Sequence, residues 1–173
     1  MLKITGRPSL IFLMTLLVSF PVYAKTVKPQ LLVQEGDWKA YVLIENGQKV
    51  CYMVSQPTKM EGKYSSRGDV YALVTHRPSE NTRDVFSYIT GYTYKGGSSV
   101  SLKIDSKAFK LFTQGDTAWA EDATTDRKIA ASIRSGSKMT VEGTSSRGTL
   151  TTDTFSLKGS GVAYKAISKE CGL

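Results

Sequence analysis

The chain has 173 residues, with 23 Lys and Arg against 15 Asp and Glu, which gives a formal net charge of +8 at pH 7. This length fits one ordinary domain with a well-buried core and leaves no room for a second. The basic charge could serve an anionic partner, but scattered lysines that solvate a β surface are its simplest use.

The first 24 residues predict a secretory signal peptide. Lys3 and Arg7 form a basic start, residues 10–20 form an apolar run, and Val22-Tyr23-Ala24 resembles a cleavage site. The run is shorter than the roughly 20 residues that a bilayer crossing needs, so we expect cleavage and no membrane span in the mature protein. Export argues against nucleic acid as a partner and leaves lipid headgroups or polysaccharide as the available anions.

The two cysteines, Cys51 and Cys171, predict one disulfide, because an even count in an exported chain argues for pairing. Only one pairing exists. It would close a loop of about 120 residues, for which chain entropy gives at most about 5 kcal/mol. A free or reactive pair is the alternative, although nothing here resembles the Cys-x-x-Cys of redox enzymes.

After a leader at residues 25–35, a β domain is expected over residues 36–173. Residues 38–44 and 50–54 are β-branched and aromatic, and Asn46-Gly47 between them predicts a tight hairpin. Cys51 would then lie inside a strand.

A polar, turn-rich stretch at residues 57–68 precedes a strand at 69–75. The longest strand is predicted over 84–94, where Gly91 indicates a bulge or a close backbone approach. Tyr88, Tyr92 and Tyr94 fall on one face of it. They form a possible binding face for sugar or peptide, with core packing or cross-strand pairing as the alternative.

The rest of the chain continues mainly as short strands with two helices. Val100, Leu102 and Ile104 alternate with polar residues, which is typical of a half-buried strand. Further strands are predicted over 109–113, 117–120, 138–143 and 149–157. A helix between Thr124 and Gly136 would have Thr125 as N-cap, and Ser160 would cap a C-terminal helix.

These elements predict an all-β fold: a single-domain antiparallel β-sandwich or barrel of about eight or nine strands with two short helices, the second at the C-terminus. Strands follow one another without the helical crossovers of a parallel sheet. Two stretches resemble each other, Glu61–Gly68 and Glu142–Gly148, and both contain Ser-Ser-Arg-Gly. They indicate either an ancient duplication or the chance recurrence of polar turn residues.

No catalytic, metal or cofactor motif stands out. A single histidine, His76, cannot build a multi-histidine zinc site, and no nucleophile elbow accompanies it, so a strand end is favoured over a general base. Four acids gather around Trp119 but lack the order of a calcium loop, and a solvated loop is favoured; they are Asp116, Glu121, Asp122 and Asp126. We therefore expect no cofactor and no metal.

The tripeptide Arg67-Gly68-Asp69 matches the motif that host integrins recognise on exposed loops. Its place between a polar turn and a strand would permit display. Arg-Gly also has an ordinary use in ending a turn, and adhesion through a three-residue match is the weaker interpretation.

Four stretches together identify a resemblance: Gly36-Asp37-Trp38, residues 74–78, residues 112–120, and residues 148–159 leading to Cys171. In order and spacing the chain resembles the invasion-associated locus B family of bacterial envelope proteins. The resemblance implies an exported, β-rich, single-domain protein of alphaproteobacteria, in a family named for a member linked to host-cell invasion and virulence. It implies no enzymatic reaction, and the paired cysteines fit the family's pattern.

The leading hypothesis is an exported, non-enzymatic envelope protein, periplasmic or associated with the outer surface. It would bind an unknown protein, lipid or polysaccharide at the envelope or host surface and support invasion. A periplasmic accessory or chaperone-like module for envelope assembly or integrity is the alternative. A hydrolase with an unrecognised carboxylate site is a third.

Overall fold

The computed structural model describes residues 28–173. The predicted signal peptide lies outside the described residues. Within residues 28–173, eleven strands and two α-helices follow one another: β1 (Gln30–Glu35), β2 (Trp38–Glu45), β3 (Gln48–Ser55), β4 (Lys59–Gly62), β5 (Tyr71–Arg77), β6 (Thr82–Ile89), β7 (Ser99–Ile104), β8 (Lys107–Gln114), β9 (Thr117–Trp119), α1 (Ala123–Ser135), β10 (Lys138–Thr144), β11 (Leu150–Ser156) and α2 (Ser160–Glu170).

All strands belong to one antiparallel sheet in the order β1-β2-β3-β5-β6-β9-β8-β7-β10-β11-β4. The sheet is open and sandwich-like, which confirms the predicted fold class. The chain leaves β3, crosses to the far edge as β4 and returns as β5 beside β3. Trp38 at the start of β2 donates its indole N–H to the carbonyl of Ser156 at the end of β11 (3.0 Å), so the two ends of the sheet approach each other.

The predicted hairpin is confirmed. β2 pairs with β3 around Asn46-Gly47, and both turn residues have positive φ (51° and 78°), as a type I′ turn requires. Strand β7 buries Val100, Leu102 and Ile104 and exposes the residues between them, in agreement with the predicted alternation.

Two strands exceed the predicted count. β1 lies in the segment predicted as a leader, and its sequence has no regular alternation of apolar and polar residues. β4 lies inside the polar stretch; its four residues are all exposed because the strand pairs only with β11 at the sheet edge. Neither strand buries a row of apolar side chains, and therefore hydrophobic patterning did not detect them.

Three boundaries were predicted wrongly. Strand β6 ends at Ile89, because the chain turns at Gly91. The N-cap of α1 is Asp122, whose carboxylate accepts the N–H groups of Thr124 and Thr125 (both 2.8 Å), so Thr125 lies within the first turn. Ser160 is the first residue of α2 and donates its hydroxyl to the carbonyl of Ile133 (2.8 Å) instead of capping its own helix.

The core is one continuous cluster to which both halves of the sheet and both helices contribute. Its largest fully buried side chains include Trp38, Phe86 and Phe155. Cys51 in β3 forms the predicted disulfide with Cys171, which ends α2, over a sequence separation of 120 residues. The bridge fastens the last helix to the sheet against which it packs.

Candidate functional site

The two resembling segments occupy equivalent places in the sheet, on either side of β11. Glu61 in β4 and Glu142 in β10 both pair with Thr152, and the glycine after each glutamate pairs with Thr151. Both strands run antiparallel to β11, so they run in the same direction and their C-terminal ends lie next to the same end of β11. Their Ser-Ser-Arg-Gly sequences therefore emerge side by side, two strand spacings or about 10 Å apart.

A polar cleft of about 620 Å³ lies between these emerging loops. Its walls come from residues 63–68 on one side and 145–151 on the other, and residues 91–93 close the space between them. We call these segments the first arm, the second arm and the bridge loop. The bridge loop follows β6 and belongs to neither resembling segment.

Backbone contacts hold the three segments together. The N–H of Gly68 donates to the carbonyl of Gly91 (2.9 Å), and the N–H of Ser146 donates to the carbonyl of Thr93 (2.8 Å). Gly91 has φ of +73°, and a Cβ there would clash with the carbonyl of Gly68. The close backbone approach predicted for Gly91 is thus confirmed, and both arms are joined to the bridge loop.

Arg67 of the first arm turns inward and forms a buried ion pair with Asp153 of β11. The side chains are only 3% and 0% exposed, and the guanidinium donates to both carboxylate oxygens, at 2.8 and 2.6 Å. It also donates to the carbonyl (2.7 Å) and hydroxyl (2.9 Å) of Thr90 and to the hydroxyl of Tyr88 (3.2 Å). A bidentate pair whose guanidinium makes further hydrogen bonds is the geometry in which a buried ion pair is tolerated.

Aromatic rings surround this pair. The guanidinium carbon of Arg67 lies 4.9 Å from the ring centre of Tyr92 and 5.6 Å from that of Tyr64, both at the cleft. The Tyr88 hydroxyl donates to Asp153, and burial, followed by the charge of Asp153, raises its pKa. The floor of the cleft is therefore a fixed polar cluster.

The predicted tyrosine face is not formed, since Tyr88 is 1% and Tyr94 5% exposed. Tyr88 continues the inward face of β6, and the ring of Tyr94 packs edge-on against Tyr92 at 5.4 Å. Of the three, only Tyr92 lines the cleft, where its hydroxyl is 2.7 Å from that of Thr151. The alternation of aromatics reflected core packing.

The integrin-motif interpretation of Arg67-Gly68-Asp69 is wrong, because its arginine is buried. The corresponding residue of the second arm, Arg147, is exposed, as is Lys63 at the start of the first arm. Among residues 28–173, neither forms an ion pair. The two arms thus place one arginine beneath the cleft and two free cations at its margin.

His76 is a buried residue of β5 and lies beside Ser168 and Asp84. These three residues resemble a hydrolytic triad in composition alone. The backbone N–H of Asp84 donates to His76 Nδ1 (3.0 Å), so the ring proton lies on Nε2, which faces the Ser168 hydroxyl at 3.3 Å. Burial lowers the pKa of His76, partly offset by the charge of Asp84. A neutral ring with this tautomer cannot accept a proton from Ser168.

The acidic loop near Trp119 has structural uses. Asp122 caps α1, and Asp126, in the first turn of α1, is buried and its carboxylate accepts the N–H of Phe86 (2.9 Å). Burial raises the pKa of Asp126 to about 6. In the part of the chain that the structure describes, no three acidic, histidine or cysteine side chains gather to hold a metal ion.

Sequence reasoning noticed the repeated Ser-Ser-Arg-Gly but missed the cleft between its two copies. It also missed Asp153. A usable signal existed, because Phe155 is an obvious core residue and the two-residue period of a strand places Asp153 on the same inward face. A buried acid needs a cation, and its partner, Arg67, is 86 residues away in sequence.

A second depression, about 730 Å³, runs along α2 and includes Arg134, Tyr164 and Lys169. It is larger and more apolar than the cleft between the arms. It is also more open to solvent. The arms and bridge loop therefore make the better-formed site.

Neither helix within residues 28–173 has the length and apolar character to cross a membrane. No curated protein and no solved structure shows a significant match to the chain. The family model described as invasion associated locus B protein matches residues 38–168, which includes the disulfide's first cysteine, both arms and the bridge loop. The resemblance found in the four sequence stretches is confirmed, and the chain belongs to the invasion associated locus B family.

Proposed function

We propose that this is an exported, non-enzymatic envelope protein that binds a ligand in the cleft between the two arms and so supports invasion of host cells. Family membership and the disulfide support an exported envelope protein. The observation that carries the binding role is the preformed cleft, in which the two similar arms emerge in matching register from either side of β11.

Rigidity favours binding, because loops that are already fixed lose little conformational entropy when a ligand arrives. The bridge loop holds both arms through backbone hydrogen bonds, and Arg67 fastens the first arm to the sheet. Hydroxyl groups from both arms face a volume in the usual range of ligand sites.

The non-enzymatic part of the proposal is supported by the protonation of His76, since a neutral ring with its proton on Nε2 suits a structural role. A serine-reactive fluorophosphonate probe tests it directly. We expect no labelling of Ser168 in the folded protein, and stoichiometric labelling that is lost in Ser168→Ala would overturn this part.

The binding role can be tested by filling the cleft. Ser66 and Ser146 are exposed residues, one in each arm. We expect the double variant Ser66→Trp/Ser146→Trp to be exported and folded like wild type but to reduce invasion when it replaces the wild-type gene. Ser101→Trp, at an exposed position in β7, is the matched control.

The location of the protein in the cell distinguishes the proposed invasion role from the alternative, a periplasmic accessory role. Surface labelling of intact cells should reach the protein if it contacts the host directly. If fractionation finds it only in the soluble periplasm and the cleft variant causes envelope stress without an invasion defect, the periplasmic accessory role replaces the invasion role. Unchanged invasion and unchanged envelope integrity in the cleft variant would refute the cleft as the functional site.

A further inference from the structure

The charge at the cleft margin is positive and available. Lys63 projects from the first arm and Arg147 from the second, and no ion pair in residues 28–173 uses either. Asp153, which lies beneath the cleft, is neutralised by Arg67. A ligand in the cleft therefore meets two uncompensated cations, one from each side.

The lining between these cations is rich in hydroxyl groups and aromatic rings. Seven serine and threonine residues line the cleft together with Tyr64 and Tyr92. Hydroxyls both donate and accept hydrogen bonds, which suits the hydroxyl groups of a sugar. Tyrosine rings offer apolar surface with a polar edge, which suits the C–H faces of a sugar ring.

The shape favours a segment of a polymer over a small enclosed molecule. The cleft is open on its solvent side, and its two arms stand about 10 Å apart across β11. Cations on opposite sides can then contact charges that lie apart along one chain.

We propose, on the basis of the binding role above, that the ligand is an acidic polysaccharide. Lys63 and Arg147 contact its carboxylate, sulfate or phosphate groups, Tyr64 and Tyr92 contact its sugar rings, and the arm hydroxyls hydrogen-bond its hydroxyls. Arg67 is a positioning residue that holds the first arm and the ring of Tyr92 in place.

The test is a titration of the mature, disulfide-bonded protein with dextran sulfate and with dextran, which share a backbone and differ in charge. Polyglutamate provides a polyanion without sugar, and a uronic acid polymer distinguishes carboxylate from sulfate. We expect dextran sulfate or the uronic acid polymer to bind more tightly than both dextran and polyglutamate.

Variants locate the binding. Lys63→Gln/Arg147→Gln should weaken binding of the acidic polysaccharide by roughly tenfold. Lys103→Gln/Lys110→Gln removes the same charge from exposed positions on β7 and β8 and should change it by less than about twofold. Tyr64→Leu should weaken polysaccharide binding and leave any weak polyglutamate binding unchanged.

Four outcomes would overturn the inference. Equal affinity for polyglutamate would mean that only charge is recognised, and equal affinity for dextran would mean that the ligand is a neutral glycan. Equal losses of affinity in Lys63→Gln/Arg147→Gln and in Lys103→Gln/Lys110→Gln would mean that binding is not in the cleft. If no glycan binds but Ser66→Trp/Ser146→Trp still reduces invasion, the ligand class is wrong and the proposed function survives. If the tryptophan variant also invades normally, the proposed function fails.

Discussion

Arg67 and Arg147 show how one residue type in two similar segments acquires opposite roles. Arg67 is enclosed by Asp153, Thr90 and two tyrosine rings, whereas Arg147 is exposed at the tip of a turn. Two residues separate Gly62 from Ser65 before the first arm's serines, whereas one residue separates Gly143 from Ser145 before those of the second. The difference in burial is what separates a structural arginine from one that can contact a ligand.

We predict that Arg67→Ala lowers the free energy of unfolding by about 3–5 kcal/mol, because it leaves the carboxylate of Asp153 buried without a partner. Arg147→Ala is the matched control and should change it by less than about 0.5 kcal/mol. Chemical denaturation followed by tryptophan fluorescence measures both. Similar values for the two variants would mean that the buried pair does not stabilise the fold.

Asp126 gives a prediction about pH. Its pKa is raised from 3.8 to about 6 in the folded state, chiefly by burial, so the folded protein binds the proton more tightly than the unfolded chain. The ionised carboxylate therefore costs stability above about pH 6, and this cost disappears as pH falls towards 4.

The variant Asp126→Asn keeps an oxygen to accept the N–H of Phe86 and removes the charge. We expect it to be more stable than wild type at pH 7 by on the order of 1 kcal/mol and to lose this advantage near pH 4. Unfolding curves at several pH values test this. An advantage that is constant with pH would show that packing, and not ionisation, is responsible.

At the scale of elements, the contact between the first arm and the bridge loop depends on a pair of glycines. Gly91 needs its positive φ, and its Cα hydrogens face the carbonyl of Gly68 where a side chain would clash. Gly97 also has a positive φ, +70°, but has open space around it. Comparing alanine substitutions at Gly91 and Gly97 therefore distinguishes the cost of backbone strain, which both share, from the cost of the steric clash, which only Gly91 has.

We predict that Gly91→Ala lowers the free energy of unfolding by about 1–3 kcal/mol more than Gly97→Ala. Both variants incur the cost of alanine at positive φ, and only the first must also separate the arm from the bridge loop. Thermal or chemical unfolding provides the comparison. Equal losses would indicate that the Gly68 contact is readily relaxed.

Elements were predictable where a local rule governed them. The Asn46-Gly47 hairpin, the alternating strand β7 and the existence of both helices follow from turn chemistry and periodicity. The cap of α1 at Asp122 was also within reach, because aspartate is as good an N-cap as threonine or better. Edge strand β4 was not, since it pairs with a strand about 90 positions away in sequence and its own four residues are all exposed.

At the scale of the whole molecule, the order of the sheet and the cleft depend on contacts that no local pattern reports. Cysteine count alone predicted one contact of very long range, the Cys51–Cys171 bridge over 120 residues. By contrast, the meeting of the arms required knowledge that β4 crosses the sheet to pair with β11. The repeated Ser-Ser-Arg-Gly sequence could therefore suggest a candidate site, but it could not show where in the fold that site lies.

We predict that the double variant Cys51→Ala/Cys171→Ala loses up to about 5 kcal/mol of stability, because its unfolded chain is no longer restrained by a 120-residue loop. Reduction of the wild-type protein should produce a comparable loss. Adding reductant to the double variant should have no further effect. Mass spectrometry of the non-reduced mature protein should find no free thiol, and two free thiols would contradict the bridge.

Strand β11 sets the separation of the arms through main-chain hydrogen bonds, since β4 and β10, from which the two Ser-Ser-Arg-Gly sequences emerge, both pair with Thr151 and Thr152. Substitutions in the loops can then alter which chemical groups a ligand meets while the distance between them stays constant. Variation among relatives should accordingly change ligand preference more readily than ligand size. A change of size would require an insertion, such as the one additional residue between Gly62 and Ser65 compared with Gly143 and Ser145.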